Sequence, residues 1–484
     1  MEKIRNLLAA IVLCTINAKW IHPSLALRLL KANLPDNLDC CSLRDSCTIL
    51  EFSQRQSLAE KTAAVLAKQP EIFALSVSIW NHQATLELLR DLENEWPEKK
   101  PVIVLGGPEL TPLPPETEIF NYADFVIRGE GELIFAQLCR AVSEDLITAK
   151  KTYGKFIEGG EADLNIVKNA YNLYTEEDLE HKLIYAESSR GCPYSCAFCQ
   201  SAANVSLREF PLESFFNDFD RLLQRCRGKI KTIKFLDRSF NIKLTRAVKI
   251  LEFCLLKTEH YSVQFHFEMI PAVFPEELCN ILALFPPETI RLEIGIQSFN
   301  AKTNALIHRI SNPEKELEVL RFLREKTNAI LHVDLIAGLP GEDIGSFGNG
   351  FDRLWITLSG AGSSAPFEIQ LGILKCLPGT PIYDKAIKDH FSIVHNTVAP
   401  YEVTETDCLP ASDMEKIKNF ARFWEQIVNR RSFPDLLSRL TIPGEAVFAR
   451  FMDVSQKLLD RFGRNWGIPK PELEDALKTI INQI

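Results

Sequence analysis

Arg190-Gly191-Cys192-Pro193-Tyr194-Ser195-Cys196-Ala197-Phe198-Cys199 places three cysteines with three and then two residues between them. One tight loop at that spacing can wrap three thiolates round a cube-shaped iron-sulfur cluster, and it supplies no fourth ligand. The iron left without a cysteine keeps open coordination sites, which a small molecule bearing an amine and a carboxylate can occupy. A structural zinc loop is the rival reading, but such zinc takes four closed ligands, usually from two separated pairs. No second pair follows Cys199, and the nearest histidine, His181, lies on the far side of the preceding strand pattern.

Working outward, the apolar run Leu183-Ile184-Tyr185-Ala186 sets a strand directly before the loop. Further strands are expected at 232–236, 263–268, 290–294, 331–336 and 368–374, separated by helical patterns over 212–226, 246–256, 275–284 and 314–325. Strand-helix alternation of this kind predicts a parallel sheet, with active groups at the strand ends. Polar residues stand at those ends: Asp237-Arg238-Ser239, Glu268 in His266-Phe267-Glu268, and Glu293 to Gln297-Ser298. Each has a structural alternative, since Asp237 could cap the next segment and Glu293 could pair with Arg291 or Arg238. Asp334 opens a glycine-proline turn that runs through Gly338 and Gly341 to Glu342, and Cys376 reads as a small buried residue.

Upstream, short apolar runs at 11–17, 48–52, 72–79, 102–105 and 125–127 alternate with helical patterns at 25–34, 59–68, 84–96 and 132–142, and Ser24 is placed to cap the first helix. That rhythm predicts a doubly wound parallel sheet, which binds ligands at the carboxyl ends of its strands. The loops there are Asn17-Ala18-Lys19-Trp20, Ser78-Ile79-Trp80-Asn81, Gly106-Gly107-Pro108-Glu109 and Arg128-Gly129-Glu130-Gly131-Glu132; their glycines permit close backbone approach. Residues 150–182, rich in charge, read as a connector with little core of its own. Beyond 401 the pattern becomes helical. Ser412 and Glu415 form a capping box, Met414, Ile417, Ala421, Trp424 and Val428 make a stripe suited to packing on the body, and helices follow at 445–462 and 471–481. The expected domains are therefore 1–149, a connector over 150–182, 183–400 and 401–484.

Composition is that of an ordinary globular chain: 484 residues, 46% hydrophobic and 25% charged. A net charge of -9 gives no bulk attraction to nucleic acid or anionic lipid, so neither is an expected partner. Thirteen scattered cysteines do not read as a secreted disulfide framework, and a reducing cytoplasm is the expected location. Lys3 and Arg5 ahead of the apolar run 7–16 imitate a secretory signal. The run is too short to span a bilayer, and it reads better as a first strand.

The Cys-x3-Cys-x2-Cys loop, with Phe198 before its last cysteine, resembles the signature of the radical S-adenosylmethionine (SAM) superfamily. The resemblance implies a partial (β/α)6 barrel and a [4Fe-4S] cluster on Cys192, Cys196 and Cys199, with SAM chelating the unique iron. It implies reductive cleavage of SAM to a 5′-deoxyadenosyl radical, and hence an electron donor such as flavodoxin or ferredoxin. It also implies cofactor contacts from Phe198, from Asp237 to the SAM amino group, from Glu268, and from Glu293, Gln297 and Ser298 to ribose and the methionine moiety. The order of the whole chain resembles B12-binding-domain radical SAM proteins of undefined substrate, which implies cobalamin near Gly106 and Gly107. The expected reaction is methylation or rearrangement of an unactivated carbon. One departure stands out: many cobalamin domains carry Asp-x-His-x-x-Gly after the first strand, and here the nearest substitute is His22, at the wrong spacing and without the glycine.

Three alternatives remain. A methylthiotransferase would need three further N-terminal cysteines, of which Cys14, Cys40, Cys41 and Cys47 are crowded candidates, and a basic C-terminal module. A coproporphyrinogen-oxidase-like enzyme would lack the long N-terminal domain. A non-catalytic cluster- or cobalamin-binding sensor is the third.

Overall fold

The computed structural model describes residues 10–36, 42–96, 100–203, 206–229, 231–360 and 365–483. The basic start of the signal-like stretch, Lys3 and Arg5, and the cysteines Cys40 and Cys41 fall outside them. Two units gather the contacts: Met1–Ser188 with Arg208–Lys234, and Ser189–Leu207 with Phe235–Ile484.

In the first unit β1 (Ile11–Asn17) is apolar along nearly its whole length and buried at every position, as a strand covered on both faces must be. It pairs in parallel with β2 (Cys47–Ser53) and β3 (Ile72–Ser76). With β4 (Val102–Gly106), β5 (Phe125–Gly129) and β6 (Phe156–Gly160) the order is β2-β1-β3-β4-β5-β6. Successive side chains of β1 alternate faces. Val12, Cys14 and Ile16 join one core with Val65 of α2 (Leu58–Leu66) and Leu88 of α3 (His82–Glu95). Ile11 and Leu13 join another with Leu27 of α1 (Leu25–Asn33) and Phe135 of α4 (Glu132–Glu144). The Ser24 hydroxyl accepts from the Leu27 N–H at 3.2 Å and so caps α1 as expected.

The stretch read as a connector carries more structure than its composition suggests. It supplies β6, and Ile157, Leu164, Ala170, Tyr171, Tyr174 and Leu179 are buried. Asp178, read as part of a solvated acidic run, is 2% exposed and meets Arg28 at 2.7 Å, while Arg28 also meets Glu51 at 2.8 Å. Burial alone would raise the Asp178 carboxyl, but Arg28 and Lys182 hold it down at about 2.

The second sheet follows chain order: β7 (Ile184–Ala186), β8 (Lys231–Phe235), β9 (Val263–Met269), β10 (Ile290–Gln297), β11 (Ile330–Ala337) and β12 (Phe367–Ile373). That is the strand succession of a partial parallel barrel. In β10 buried and half-buried residues alternate strictly, Ile290, Leu292, Ile294 and Ile296 facing the packed side and Arg291, Glu293, Gly295 and Gln297 the other. A helix over Ile344–Gly360 stands outside the expected elements, because Gly345, Gly348, Gly350 and Gly360 lower its helix propensity. Packing overrides propensity there: a Cβ on Gly348 would lie 2.5 Å from the Phe448 ring, so the glycine lets the helical tail close on the barrel.

In that tail the helix Ala411–Trp424 starts one residue before Ser412, with Pro410 at its cap and no side-chain cap bond, so the expected capping box is not made. The predicted stripe does pack inward: Met414, Ile417 and Trp424 are at most 1% exposed, and Trp424 stacks on Phe420 within a cluster that includes Phe351 and Phe451.

Candidate functional site

The three-cysteine loop lies within the second unit, and backbone bonds tie it down. Gly191 turns the chain at φ +90, a conformation open chiefly to glycine. The Ala197 N–H donates to Ile307 O at 2.9 Å, the Ala197 carbonyl accepts from Ile382 N–H at 3.0 Å, and the Cys199 N–H closes a turn onto Cys196 O at 3.0 Å. All three thiols are free, Cys196 buried and Cys192 and Cys199 half-buried, and Phe198 is half-buried beside them. Burial pushes the Cys196 thiol up, opposed by the Arg309 guanidinium. It pushes Cys192 up too, opposed by the Tyr194 N–H and the Ser239 hydroxyl. Among the described residues no three His, Cys, Asp or Glu side chains are drawn together as ligands of a single ion. The donor set of three soft thiols with the Arg309 cation beside Cys196 and no fourth cysteine in the loop suits an iron-sulfur cube held at three corners, whereas a structural zinc takes four closed ligands.

The strand-end residues divide by what already occupies them. Asp237 is 1% exposed and accepts from the Ser189 hydroxyl at 2.6 Å. Glu268 pairs with Arg238 at 3.4 Å. Glu293 pairs with His266 at 3.1 Å, and its charge also helps hold the Arg238 guanidinium protonated. Gln297 ends β10 in a left-handed conformation at φ +67, next to a bulge, and its amide folds over the spot a Cβ on Gly295 would fill. Its Oε1 is buried with no hydrogen-bond partner, an acceptor left open for a ligand donor. Ser298 is 2% exposed, donates to Glu342 Oε1 at 2.5 Å and accepts from the Asn300 N–H at 2.9 Å. Its hydroxyl is thus committed inside the fold. Burial pushes the Glu342 carboxyl up to about 7 against the pull of the Ser298 hydroxyl. Cys376 is wholly buried, and burial lifts its thiol to about 11.

Sequence reading passed over a further group. Parallel register sets Glu268 beside Glu293, Glu293 beside His332 and His332 beside Glu368, one row across β9 to β12. The His332 imidazole meets Glu368 through Nδ1 at 3.0 Å and Asp334 through Nε2 at 3.3 Å. Arg291 reaches the same Glu368 oxygen. Desolvation alone would lower the His332 pKa, but Asp334, Glu368 and Glu293 raise it to about 9. The alternation Ile330-Leu331-His332-Val333-Asp334 carried the signal, since period two puts His332 and Asp334 on one face.

At the carboxyl edge of the first sheet, Gly107 adopts φ +115, and a Cβ there would lie 2.7 Å from Val77 N and closer still to Val77 O. Gly106 would meet nothing nearer than Ile127 O at 3.6 Å. Of the two glycines expected to admit a ligand, Gly107 is required by the neighbouring strand and only Gly106 leaves room. The charges of Arg128-Gly129-Glu130-Gly131-Glu132 are similarly engaged: Arg128 donates to Leu113 O at 2.8 Å, and Glu130 binds Arg208. His22 Nδ1 lies 2.6 Å from the Tyr185 hydroxyl, the satisfied structural state. Asn81, unexposed, bonds Thr15, Ile16 and Ser76 and fixes the turn that holds Trp80 half in solvent; Trp20, also half exposed, has its ring against His181 and under the Lys182 ammonium at 5.4 Å.

Residues 187–353 match the model of the Radical SAM superfamily, and residues 11–139 that of the B12 binding domain. The cobalamin-dependent radical SAM methyltransferase TokK of Streptomyces tokunonensis is 24% identical over 197 residues, 36% of this chain and 28% of that protein. The matched stretch thus spans well under two thirds of that relative. The cobalamin-dependent SAM radical enzyme OxsB with aqua-cobalamin bound superposes with a TM-score of 0.66 at 15% identity, covering 100% of this chain and 80% of that one. The radical SAM methyltransferase TsrM from Kitasatospora setae, with cobalamin and [4Fe-4S] cluster bound, gives 0.59 at 16% identity over 81% of this chain and 76% of that one.

Proposed function

We propose that this chain, a radical SAM protein with a B12-binding domain ahead of its barrel, uses a [4Fe-4S] cluster, SAM and cobalamin to methylate an unactivated carbon. The observation that carries the reading is the loop of three free thiols, Cys192, Cys196 and Cys199, with a cation beside Cys196 and no fourth cysteine. The B12-binding match over 11–139 sets it above a methylthiotransferase or a coproporphyrinogen-oxidase-like enzyme. The cofactors named for TokK, OxsB and TsrM support it.

When bound, the cluster supplies one-electron reduction of SAM and cobalamin supplies methyl transfer. The chain's own part is to hold and orient. Cys192, Cys196 and Cys199 hold the cluster, and Arg309 favours the Cys196 thiolate. Gln297 Oε1 takes a donor from SAM, and Asp237, Glu268 and Glu293, each oriented by its partner, supply further acceptors. Ser298 orders the turn after β10 through Glu342 instead of touching SAM by its hydroxyl. The carboxyl edge of the first sheet, where Gly106 leaves room, receives cobalamin. An electron donor such as flavodoxin or ferredoxin belongs to this reading, as does a reducing cytoplasm, in keeping with eleven described cysteines that are all free. Among the described residues no helix is long and apolar enough to cross a membrane.

Anaerobic Cys196→Ala protein is expected to lose iron and sulfide relative to the parent; full retention would contradict the cluster assignment. Parent protein should keep hydroxocobalamin through desalting and release 5′-deoxyadenosine from SAM under strong reductant. An intact cluster that releases none favours a sensor.

A further inference from the structure

At the amino ends of β11 and β12 lies a cleft of about 410 Å³ that the reaction above does not use. Its walls come from the last turn of the helix Pro313–Lys326, the end of the helix Ile344–Gly360, the start of β12 and the tail around the helix Pro434–Leu440. Strand β12 runs seven residues away from that edge, about 23 Å at 3.3 Å per residue. A ligand in the cleft is therefore remote from Gln297 and Ser298 at the carboxyl ends.

Two arginines line the cleft, and no carboxylate is among its described lining. Arg324 is 3% exposed and firmly held: Nε donates to Leu358 O at 3.0 Å, Nη1 donates to Ala365 O, and the guanidinium lies 4.9 Å over the Phe367 ring. Carbonyl dipoles fix the group and leave its charge in place. Burial, and then the charge of Arg431, pull the Arg324 guanidinium below its ordinary value, as expected of a buried cation with a second one near it. Arg431 is placed as definitely. Asn429 accepts from the Ile369 N–H at 3.2 Å and donates to Ile369 O at 3.0 Å, which pins its turn to β12. Two residues on, Arg431 stands in the left-handed region at φ +48, a conformation that is uncommon for such a residue and gathers at functional sites. Its guanidinium is exposed and enters no ion pair among the described residues.

The remaining walls suit an anion with an apolar body. The Ser359 hydroxyl accepts from the Gly444 N–H at 3.1 Å and keeps its own proton to donate, and Ser438 adds a hydroxyl at the exposed rim. Trp355, its indole N–H spent on Ile442 O at 3.4 Å, and Leu437 supply apolar surface. Guanidinium forks match the oxygens of a phosphate group, and the volume falls among pockets that take small molecules, about 300–1,000 Å³.

We infer that this cleft binds a small phosphomonoester, its phosphate between Arg324 and Arg431 and its apolar part against Trp355 and Leu437. Arg324 and Trp355 belong to the barrel and Arg431 and Leu437 to the tail, so the ligand joins the two and relieves the repulsion between the cations. The inference stands apart from the methyl-transfer reading.

The test titrates the full chain, loaded anaerobically with cluster and hydroxocobalamin, with phenyl phosphate, inorganic phosphate and phenol in a calorimeter. Phenyl phosphate is expected to saturate one site per chain, about 10-fold or more tighter than inorganic phosphate because its ring is buried, and phenol is expected not to bind. Arg431→Asn, which accepts a left-handed backbone, should weaken phenyl phosphate by about 10- to 100-fold, as loss of hydrogen bonds to a charged group does, with the melting temperature of the free protein unchanged. Arg431→Lys should recover part of that affinity, and saturating SAM should leave the titration unaltered. Competition by SAM, equal affinity for the two phosphates, a titration that Arg431→Asn leaves unchanged, or no saturable binding of phenyl phosphate at millimolar concentration each overturns the inference.

Discussion

Gly107→Ala, set beside Gly106→Ala, tests the assignment of the first sheet's edge. At Gly107 the backbone stands at φ +115, and an added Cβ would lie 2.7 Å from Val77 N, with Val77 O nearer still. The obstacle is backbone, which cannot rotate away. Forcing an alanine into such a conformation costs about 1–3 kcal/mol, and overpacking against a fixed neighbour about 1–3 kcal/mol more. The expected loss is therefore about 2–6 kcal/mol, the sum of those two effects. At Gly106 no positive φ is required and the added Cβ would lie 3.6 Å from Ile127 O, an ordinary contact, so the change should stay within about 1 kcal/mol. Hydrogen exchange is the suitable assay, because Val77 N–H donates to Gly106 O at 2.7 Å and reports the same junction. In Gly107→Ala the Val77 amide should exchange about 30-fold faster or more, at 1.4 kcal/mol per decade; in Gly106→Ala it should not change by more than a few-fold. Equal effects at the two positions, or none at Gly107, would refute the steric argument. Retention of hydroxocobalamin adds a second reading: Gly106→Ala that folds normally yet loses cobalamin places Gly106 against the cofactor.

His332 has a folded pKa of about 9 against 6.5 unfolded. Its stabilisation is thus complete below pH 6.5 and disappears as pH rises through 9, and His332→Gln should remove that slope, up to about 3 kcal/mol. Glu342 runs the other way: its carboxyl, at about 7 in the fold against 4.5, opposes folding increasingly from pH 4.5 to 7. Glu342→Gln, which still accepts from Ser298, should therefore gain stability above pH 7 and little below 4.5, seen in urea midpoints across that range; an equal effect at both extremes would sink the burial argument. Arg28→Leu leaves Glu51 and Asp178 buried without their cation and should cost about 3–5 kcal/mol, with the loss shrinking as pH falls through the Asp178 value of about 2. A loss independent of acidification would argue that Arg28 acts by packing alone.

Much was legible in the sequence because it was written in local spacing. Three cysteines in eight residues, a buried β1 of continuous apolar run, and strand-helix alternation are properties of short windows, and the loop, both sheets and the inward stripe of the tail followed from them. Boundaries slipped where a local signal had a competitor. Ser412 and Glu415 had the letters of a capping box but Pro410 begins the helix, and the glycines of 344–360 hid a helix that the Phe448 contact stabilises.

What a sequence by itself determined here is covalent spacing and periodicity: which residues share a loop, a strand face or a helix stripe, and hence the three-thiol loop and the two parallel sheets. Partnership was decided only by the tertiary structure. That Glu293 meets His266, that Ser298 is committed to Glu342, that Gly107 serves Val77 while Gly106 stays open, and that His332 lies between two carboxylates all depend on register between strands distant in the chain. Register is set by the sum of many apolar contacts across the sheet, and no single window of sequence contains that sum.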